Sequence, residues 1–458
     1  MLKPVELWPF QARGRDKIIN DLIHGLFFRM GFGKTLTVLH AIHELMWNRL
    51  QIRRVLVLAP KKVARIEWPK QIDKWTEGFK YTVVHTNKAK QIRDNCDIYI
   101  MSYSSLPWLY KEMLYRPKGL PSFDMVVYDE STYLKNESSK RWQLCEAMFA
   151  DVKRAVALAG KPAPNGQLDW WAQIYLLDRG ARLFRSFDAF RSAKFISCGN
   201  GLHKRYEPMV GAKLWIQNQL ADLVTVVTES EHVKLPPIMY TDIHVDLTPS
   251  EYKEYKKLEH NHLLALPDDV VLCENPAASM MKLRQYSQGF VYTDTSTYKI
   301  NTSKIEALED IVLNSEGCNI LCAVQFVEDV LAIQKKFKNT PAIYGATTDK
   351  EAERLVNRWN DKKIPLLIVN PTTCAHGLNI QDGGHIIVWY GLTWNLDEYD
   401  QLNARLYRAG QTMPVSVHHI VMKETIDEVI LSVLKRKDKT QMDVLTALNN
   451  YRYLQQIW

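Results

Sequence analysis

The sequence predicts an α/β protein of two lobes, each built on a parallel sheet, with helical insertions between them. Three observations carry this expectation. A chain of 458 residues is long for one hydrophobic core. Short apolar runs alternate with helical patterns near the start of the chain and again near its end, as in sheets covered on both faces. Between these blocks, from about Asp178 to Glu231, the strand signal fades.

The first block begins with "LFFR", followed by a glycine-containing turn and "LTVLHAIHELM". There Leu36, Leu39, Ile42, Leu45 and Met46 fall at helical spacing. "RRVLVLAP" reads as a buried strand and "VARIEWPKQIDKW" as a helix; "KYTVVH", "CDIYIMSY", "FDMVVYDE" and "RAVALAG" are further strands. In such sheets ligands collect beyond the carboxyl ends of the strands, which places the loops after Pro60, Glu130 and Gly160 at a candidate site. "RLFRSFDAFRSAKF" reads as a helical insertion. "LPPIMYTDIHVDL" restores strand alternation, and helical patterns return in "SEYKEYKKLEHNHLLAL" and "AASMMKLRQYSQG". The second block runs through "NILCAVQFV", "PAIYG", "PLLIVNP", "HIIVWYG" and "VSVHHIV", and a helix from Ile426 closes the pattern.

Composition is that of a soluble globular protein, 46% hydrophobic and 24% charged, with a net charge of +8 that permits a polyanionic partner. The seven cysteines are scattered and contain no C-x-x-C pair, so neither a zinc site nor a disulfide framework is expected. A reducing, cytoplasmic setting is the simplest. No signal-peptide core and no membrane-length apolar run is present, so no membrane partner is expected.

Three constellations carry chemistry. In "MGFGKT", Met30, Gly31, Phe32 and Gly33 form a turn whose amides surround a phosphate. Lys34 brings a positive charge to the β- and γ-phosphates, and Thr35 offers a hydroxyl to Mg²⁺. The usual phosphate loop has a glycine five residues before Gly33, where this chain has Phe28. In "DMVVYDEST", a strand ends in Asp129 and Glu130; Asp129 holds Mg²⁺ and Glu130 orients and deprotonates the attacking water. In "QLNARLYRAGQ", Arg405 and Arg408 are expected on one helix face with Gln401 a turn earlier, projecting toward a γ-phosphate.

Together with "VLVLAPKKVARIEWPKQIDKW", "VVYDESTYLKNESSKRW", "GKPAPNGQLDWWAQIYLLDRGARL" and "HGLNIQDGGHIIVWYGLTWNLDEYDQLNARLYRAGQ", these motifs make the chain resemble the Swi/Snf group of superfamily-two helicase-like ATPases, in the compact phage or bacterial form. The resemblance extends from Trp8 to about Lys435 and implies two RecA-like lobes using ATP and Mg²⁺. The implied divisions are an ATP-binding lobe over 1–177, a helical insertion over 178–235, a strand and helical insertion over 236–300, and a helicase lobe with a terminal brace helix over 301–458. The family's first motif is A-x-x-G-x-G-K-T, so the missing glycine is normal there and Phe28 replaces the alanine. Gln11, with Phe10 beside it, matches the adenine-recognising glutamine. Pro60, Lys61, Lys62 and Arg65 match one segment that touches a DNA strand's phosphates, and Ser102 and Tyr103 match another. Gly345, Thr347, Thr372 and Gly377 match the backbone- and ATP-facing loops of the second lobe.

The resemblance implies an ATP-dependent double-stranded DNA translocase with sequence-independent backbone contacts, in a bacterial cell or phage-infected host, and allows for a nuclease or replication partner. A strand-separating or annealing helicase and an ATP-gated DNA clamp with weak hydrolysis remain alternatives. The clamp is motivated by "LAGKP", where Ala159 and Lys161 replace the two hydroxyl residues of the family's L-T-G-T-P. Thr132 replaces a histidine, Asn370-Pro371 replaces Ser-Thr, and Phe28-Arg29 stands where many eukaryotic relatives have an acidic pair. Trp170 and Trp171, the "LKRKDK" run and His418-His419 read as structure rather than as binding sites.

Overall fold

The computed structural model describes residues 3–435 apart from 4, 161, 164–165, 199–204, 228–234, 262, 266–269, 273–275, 294–295, 316, 375–379 and 409. Two compact units divide at residues 234 and 235.

The first unit is organised on seven strands: β1 (Ile23–Phe28), β2 (Val55–Ala59), β3 (Tyr81–Val84), β4 (Ile98–Ser102), β5 (Met125–Asp129), β6 (Arg154–Leu158) and β7 (Val224–Val227). They form one parallel sheet in the order β3-β4-β2-β5-β6-β1-β7. Strands β2, β4 and β5 are buried along their whole length, which is why they read as unbroken apolar runs. Phe27, Leu56, Leu58, Tyr99, Val126 and Trp171 lie together in one core on this sheet, so Trp171 is a packing residue.

Helix α1 (Pro9–Asn20) is fastened to the sheet at its carboxyl end. Arg154, at the start of β6, donates to the carbonyls of Ile18, Ile19 and Asp21 and to the Gln51 side chain. A cation on these exposed carbonyls satisfies the helix end and its dipole. Helix α2 (Lys34–His43) starts directly at the phosphate-loop lysine. A wide π turn over Val63–Glu67 leads into helix α3 (Trp68–Trp75).

The span expected to be a helical insertion before the second lobe contributes more than helices. Val224–Val227 completes the edge of the first sheet beside β1, and Phe195–Cys198 pairs with Arg205–Pro208 as an antiparallel hairpin. Strand β7 is half-buried, with Val226 51% exposed. The run is β-branched throughout, a strand signal whose shortness and helical neighbours hide it.

The second unit holds six parallel strands: β8 (Ile238–Val245), β9 (Ile320–Ala323), β10 (Ala342–Ile343), β11 (Leu366–Val369), β12 (Ile386–Trp389) and β13 (Val415–Met422). Their order is β8-β13-β12-β9-β11-β10. Helices α4 (Pro276–Ser287), α5 (Ser303–Asn314), α6 (Val327–Lys336), α7 (Asp349–Asn360), α8 (Leu396–Leu406) and α9 (Ile426–Lys435) belong to this unit. Its interior contains an ion pair: Lys304 of α5 and Asp427 of α9 approach to 2.5 Å, each 1% exposed. Lys304 also donates to the Tyr390 carbonyl, and Asp427 accepts from Ser287 Oγ and the Met422 amide. One hydrogen-bonded pair thus joins α4, α5, α9 and the ends of β12 and β13.

Candidate nucleotide site

The parallel sheet of the first unit brings four sequence segments to one edge. The phosphate loop follows β1, the Pro60–Arg65 turn follows β2, Ser102-Tyr103 ends β4, and Asp129-Glu130 ends β5. That edge is where α/β sheets hold ligands.

Gly31 and Gly33 both take left-handed backbone conformations, with φ of 83° and 76°. Glycine adopts these without a Cβ penalty, and the loop they shape ends on the amino end of α2, where free amides favour anions. Lys34 Nζ donates to the Phe28 carbonyl at 3.0 Å, and Thr35 lies half-buried beside it. Phe28 is fully buried and meets Phe10 edge-on at 5.2 Å, while Phe10 also contacts Phe32 at 5.7 Å. The residue in place of the family's alanine is therefore core packing. Gln11 braces the loop: its Nε2 donates to the Phe32 carbonyl at 3.0 Å and its Oε1 accepts the Trp8 amide at 2.9 Å.

Asp129 is buried, and burial pushes its carboxyl above the ordinary carboxylate value against the pull of the Trp68 indole, Lys34 and the Glu130 amide. Trp68 Nε1 donates to Asp129 Oδ2 at 2.7 Å, and the Glu130 amide donates to Oδ1 at 3.0 Å. Glu130 itself has φ 54°, a left-handed conformation costly for a side-chain-bearing residue. Its Oε1 accepts from Thr132 Oγ1 at 3.1 Å, so the residue that replaces the histidine holds the candidate base. The Asp129 carboxylate and the Thr35 hydroxyl on the phosphate-loop helix are hard oxygen donors of the kind that suits Mg²⁺, and the Lys34 ammonium nearby suits a polyphosphate. The turn is tied onward: Ser131 Oγ donates to Gln173 Oε1, and Gln173 Nε2 donates to the Pro162 carbonyl in the loop after β6. In that loop Gly160 closes on Met30, where an added Cβ would lie 3.2 Å from the Met30 side chain. Lys161 lies outside the described residues.

Two expectations for the first unit need correction. Ser102 and Tyr103 do not present their side chains to a nucleic acid. Ser102 is 7% exposed with its hydroxyl on Ser104, and Tyr103 is 5% exposed with its hydroxyl donated to the Asp129 carbonyl at 2.9 Å. The tyrosine is part of the core and stacks on Tyr133, so its side chain is spent on packing. Lys61 is exposed, and Lys62 and Arg65 are half-buried beyond buried Pro60.

In the second unit, Gln401 and Arg405 lie on α8, but Arg408 does not. The helix ends at Leu406, and Gln411 Nε2 donates to the Leu406 and Gly384 carbonyls as the chain turns toward Gly410, whose φ is 98°. Because the helix ends at Leu406, Arg408 falls outside the i, i+3 face that the spacing predicts. Gln401 is buried, and its Oε1 has no hydrogen-bond partner among the described residues. Gly345 is exposed, whereas the Thr347 hydroxyl is occupied within its turn by the Ala342 carbonyl and the Tyr344 amide. Thr347 lines a pocket of about 460 Å³ with Arg354 and Arg358, two arginines that sequence reasoning did not single out. Thr372 is exposed and bonded to Glu398. Gly377 lies outside the described residues.

The SNF2-related domain matches residues 21–303, and the helicase conserved C-terminal domain matches residues 303–410. Protein p41 of Acyrthosiphon pisum secondary endosymbiont phage 1 is 32% identical, covering 94% of this chain and 97% of its own. The chromatin-remodeling ATPase ISW1 of Saccharomyces cerevisiae is 23% identical over 97% of this chain, which spans 41% of ISW1's length. A Sulfolobus solfataricus SWI2/SNF2 ATPase core, solved in complex with dsDNA, aligns with a TM-score of 0.45 at 22% identity, covering 99% of this chain and 96% of its own.

Proposed function

The chain belongs to the SNF2-related family of helicase-like ATPases, and from that premise we propose that it is an ATP-driven translocase on double-stranded DNA. The observation that carries the reading is the meeting of the Lys34 loop, the buried Asp129 and the braced Glu130 at one sheet edge, beside the cationic turn after β2. Lys34 and the loop amides bind and orient the β- and γ-phosphates. Thr35 and Asp129 would hold Mg²⁺, which would supply charge neutralisation to the polyphosphate. Glu130, fixed by Thr132 and by its own left-handed backbone, accepts the proton of the attacking water. Arg405 and Arg408 are assigned the charge that develops on the transferred phosphoryl group. Lys61, Lys62 and Arg65 are assigned phosphate contacts on one DNA strand, which position without reading bases.

Steady-state phosphate release with and without duplex, run beside triplex displacement, tests this reading. Glu130→Gln is expected to retain ATP binding while hydrolysis falls by about 10²- to 10⁴-fold, the range for loss of a general base. Strand separation without triplex displacement would instead identify an unwinding enzyme.

A further inference from the structure

Two aromatic side chains from two different turns converge on Asp129. Trp68, 1% exposed, is the first residue of α3 and follows directly on the π turn over Val63–Glu67. That turn contains Arg65 and begins one residue after Lys62. The Trp68 indole N–H meets the Asp129 carboxylate at 2.7 Å across 61 residues of sequence. Tyr103 comes directly after Ser102 at the end of β4, and its hydroxyl meets the Asp129 main-chain carbonyl at 2.9 Å. One aspartate is therefore held at its carboxylate from the turn after β2 and at its carbonyl from the turn after β4.

We infer that Trp68 and Tyr103 are positioning residues for Asp129, and that Trp68 transmits engagement of a polyanionic strand at the turn after β2 to its carboxylate. The inference rests on the reading of the turn after β2 as a phosphate-backbone contact and of Asp129 as the Mg²⁺ carboxylate. Its physical basis is geometric. A cationic turn that shifts to meet a phosphate moves the next residue in the chain, and that residue holds one carboxylate oxygen. A π turn, with its wider spacing, is a backbone form that often accompanies functional sites. Neither aromatic touches nucleotide or nucleic acid in this account; both act through the aspartate. Trp68 sets the carboxylate's direction, and Tyr103 fixes the main chain from which it projects.

Two measurements test the link. In the wild-type protein labelled with ¹⁵N-tryptophan, the Trp68 indole resonance is identified by its absence in Trp68→Phe and by its displacement in Asp129→Asn. Adding a short duplex without nucleotide is expected to move that resonance; a resonance that stays in place overturns the link. This readout is taken on the wild-type protein and needs no turnover. In steady-state assays, Trp68→Phe is expected to bind duplex as wild type does, while the ratio of duplex-stimulated to basal phosphate release falls about tenfold, the equivalent of one hydrogen bond to a charged group. A purely structural role would lower both rates together and leave the ratio unchanged, and that result also overturns the link. Tyr103→Phe is expected to lower the ratio by less, because its hydroxyl holds a neutral carbonyl. If duplex fails to stimulate the wild-type protein at all, the proposed function itself fails, and the indole resonance then decides the link alone.

Discussion

Replacing Gly33 by alanine probes the phosphate loop through two separable effects. At φ 76° and ψ 32°, Gly33 occupies the left-handed region, where a Cβ costs about 1–2 kcal/mol. The new Cβ also overlaps Gln11 Nε2 and forces the amide off the Phe32 carbonyl. Displacing Gln11 also endangers its bond to the Trp8 amide, and each hydrogen bond is worth about 1 kcal/mol. The sum is about 3 kcal/mol, so Gly33→Ala should weaken a fluorescent ADP analogue with Mg²⁺ by about 10²-fold. In a Gln11→Ala background the overlap is gone, and Gly33→Ala should then cost only the backbone term, about tenfold. Nucleotide titration of the four proteins completes the cycle. An equal loss in both backgrounds would refute the Gln11 contact. No loss in either would refute the claim that nucleotide is held on the loop in this conformation.

The buried pair in the second unit gives a second test. Lys304→Met leaves Asp427 charged and buried, a change worth about 3–5 kcal/mol, and hydrogen exchange in Ile320–Ala323 and Val415–Met422 should accelerate accordingly. Lys304→Met with Asp427→Leu should recover most of that loss. Asp329, at the start of α6, supplies a pH signature. Burial pushes its carboxyl up to about 7 against opposing help from the Phe326 and Gln325 amides, Lys304 and Arg284. The folded state keeps a proton that the unfolded chain releases above its ordinary value of 3.8. Stability from this group is therefore greatest below that value and declines as pH rises through about 7. Asp329→Asn should flatten this part of the pH dependence of the melting temperature; a variant with the wild-type slope would assign the slope to other groups.

Much of the architecture is legible in the sequence for a physical reason. Strands buried on both faces, such as Val55–Ala59 and Met125–Asp129, read as nearly unbroken apolar runs, and the second ends in the site's own aspartate. The half-exposed edge strand Val224–Val227 is hidden among helical patterns. The same contrast holds within the site. Lys34, Asp129 and Glu130 stand at motif spacings that local chemistry dictates. The Trp68–Asp129 bond links residues far apart in sequence, and a tryptophan in an amphipathic helix looks like any packing residue until the sheet places it. Tyr103 differs in the opposite way: its motif match implies a contact with a DNA strand's phosphates, and the fold buries its side chain. The break after Leu406 is invisible to a three-residue spacing because the capping side chain, Gln411, comes five residues later.

The central claim is that the first unit's sheet edge hydrolyses ATP under the control of DNA. It is tested most directly by phosphate release at saturating ATP and Mg²⁺ with and without duplex, for wild type and Lys34→Ala. The account predicts a rate that rises with duplex in wild type and stays at background in Lys34→Ala. Equal wild-type rates with and without duplex, or full turnover in Lys34→Ala, would contradict it.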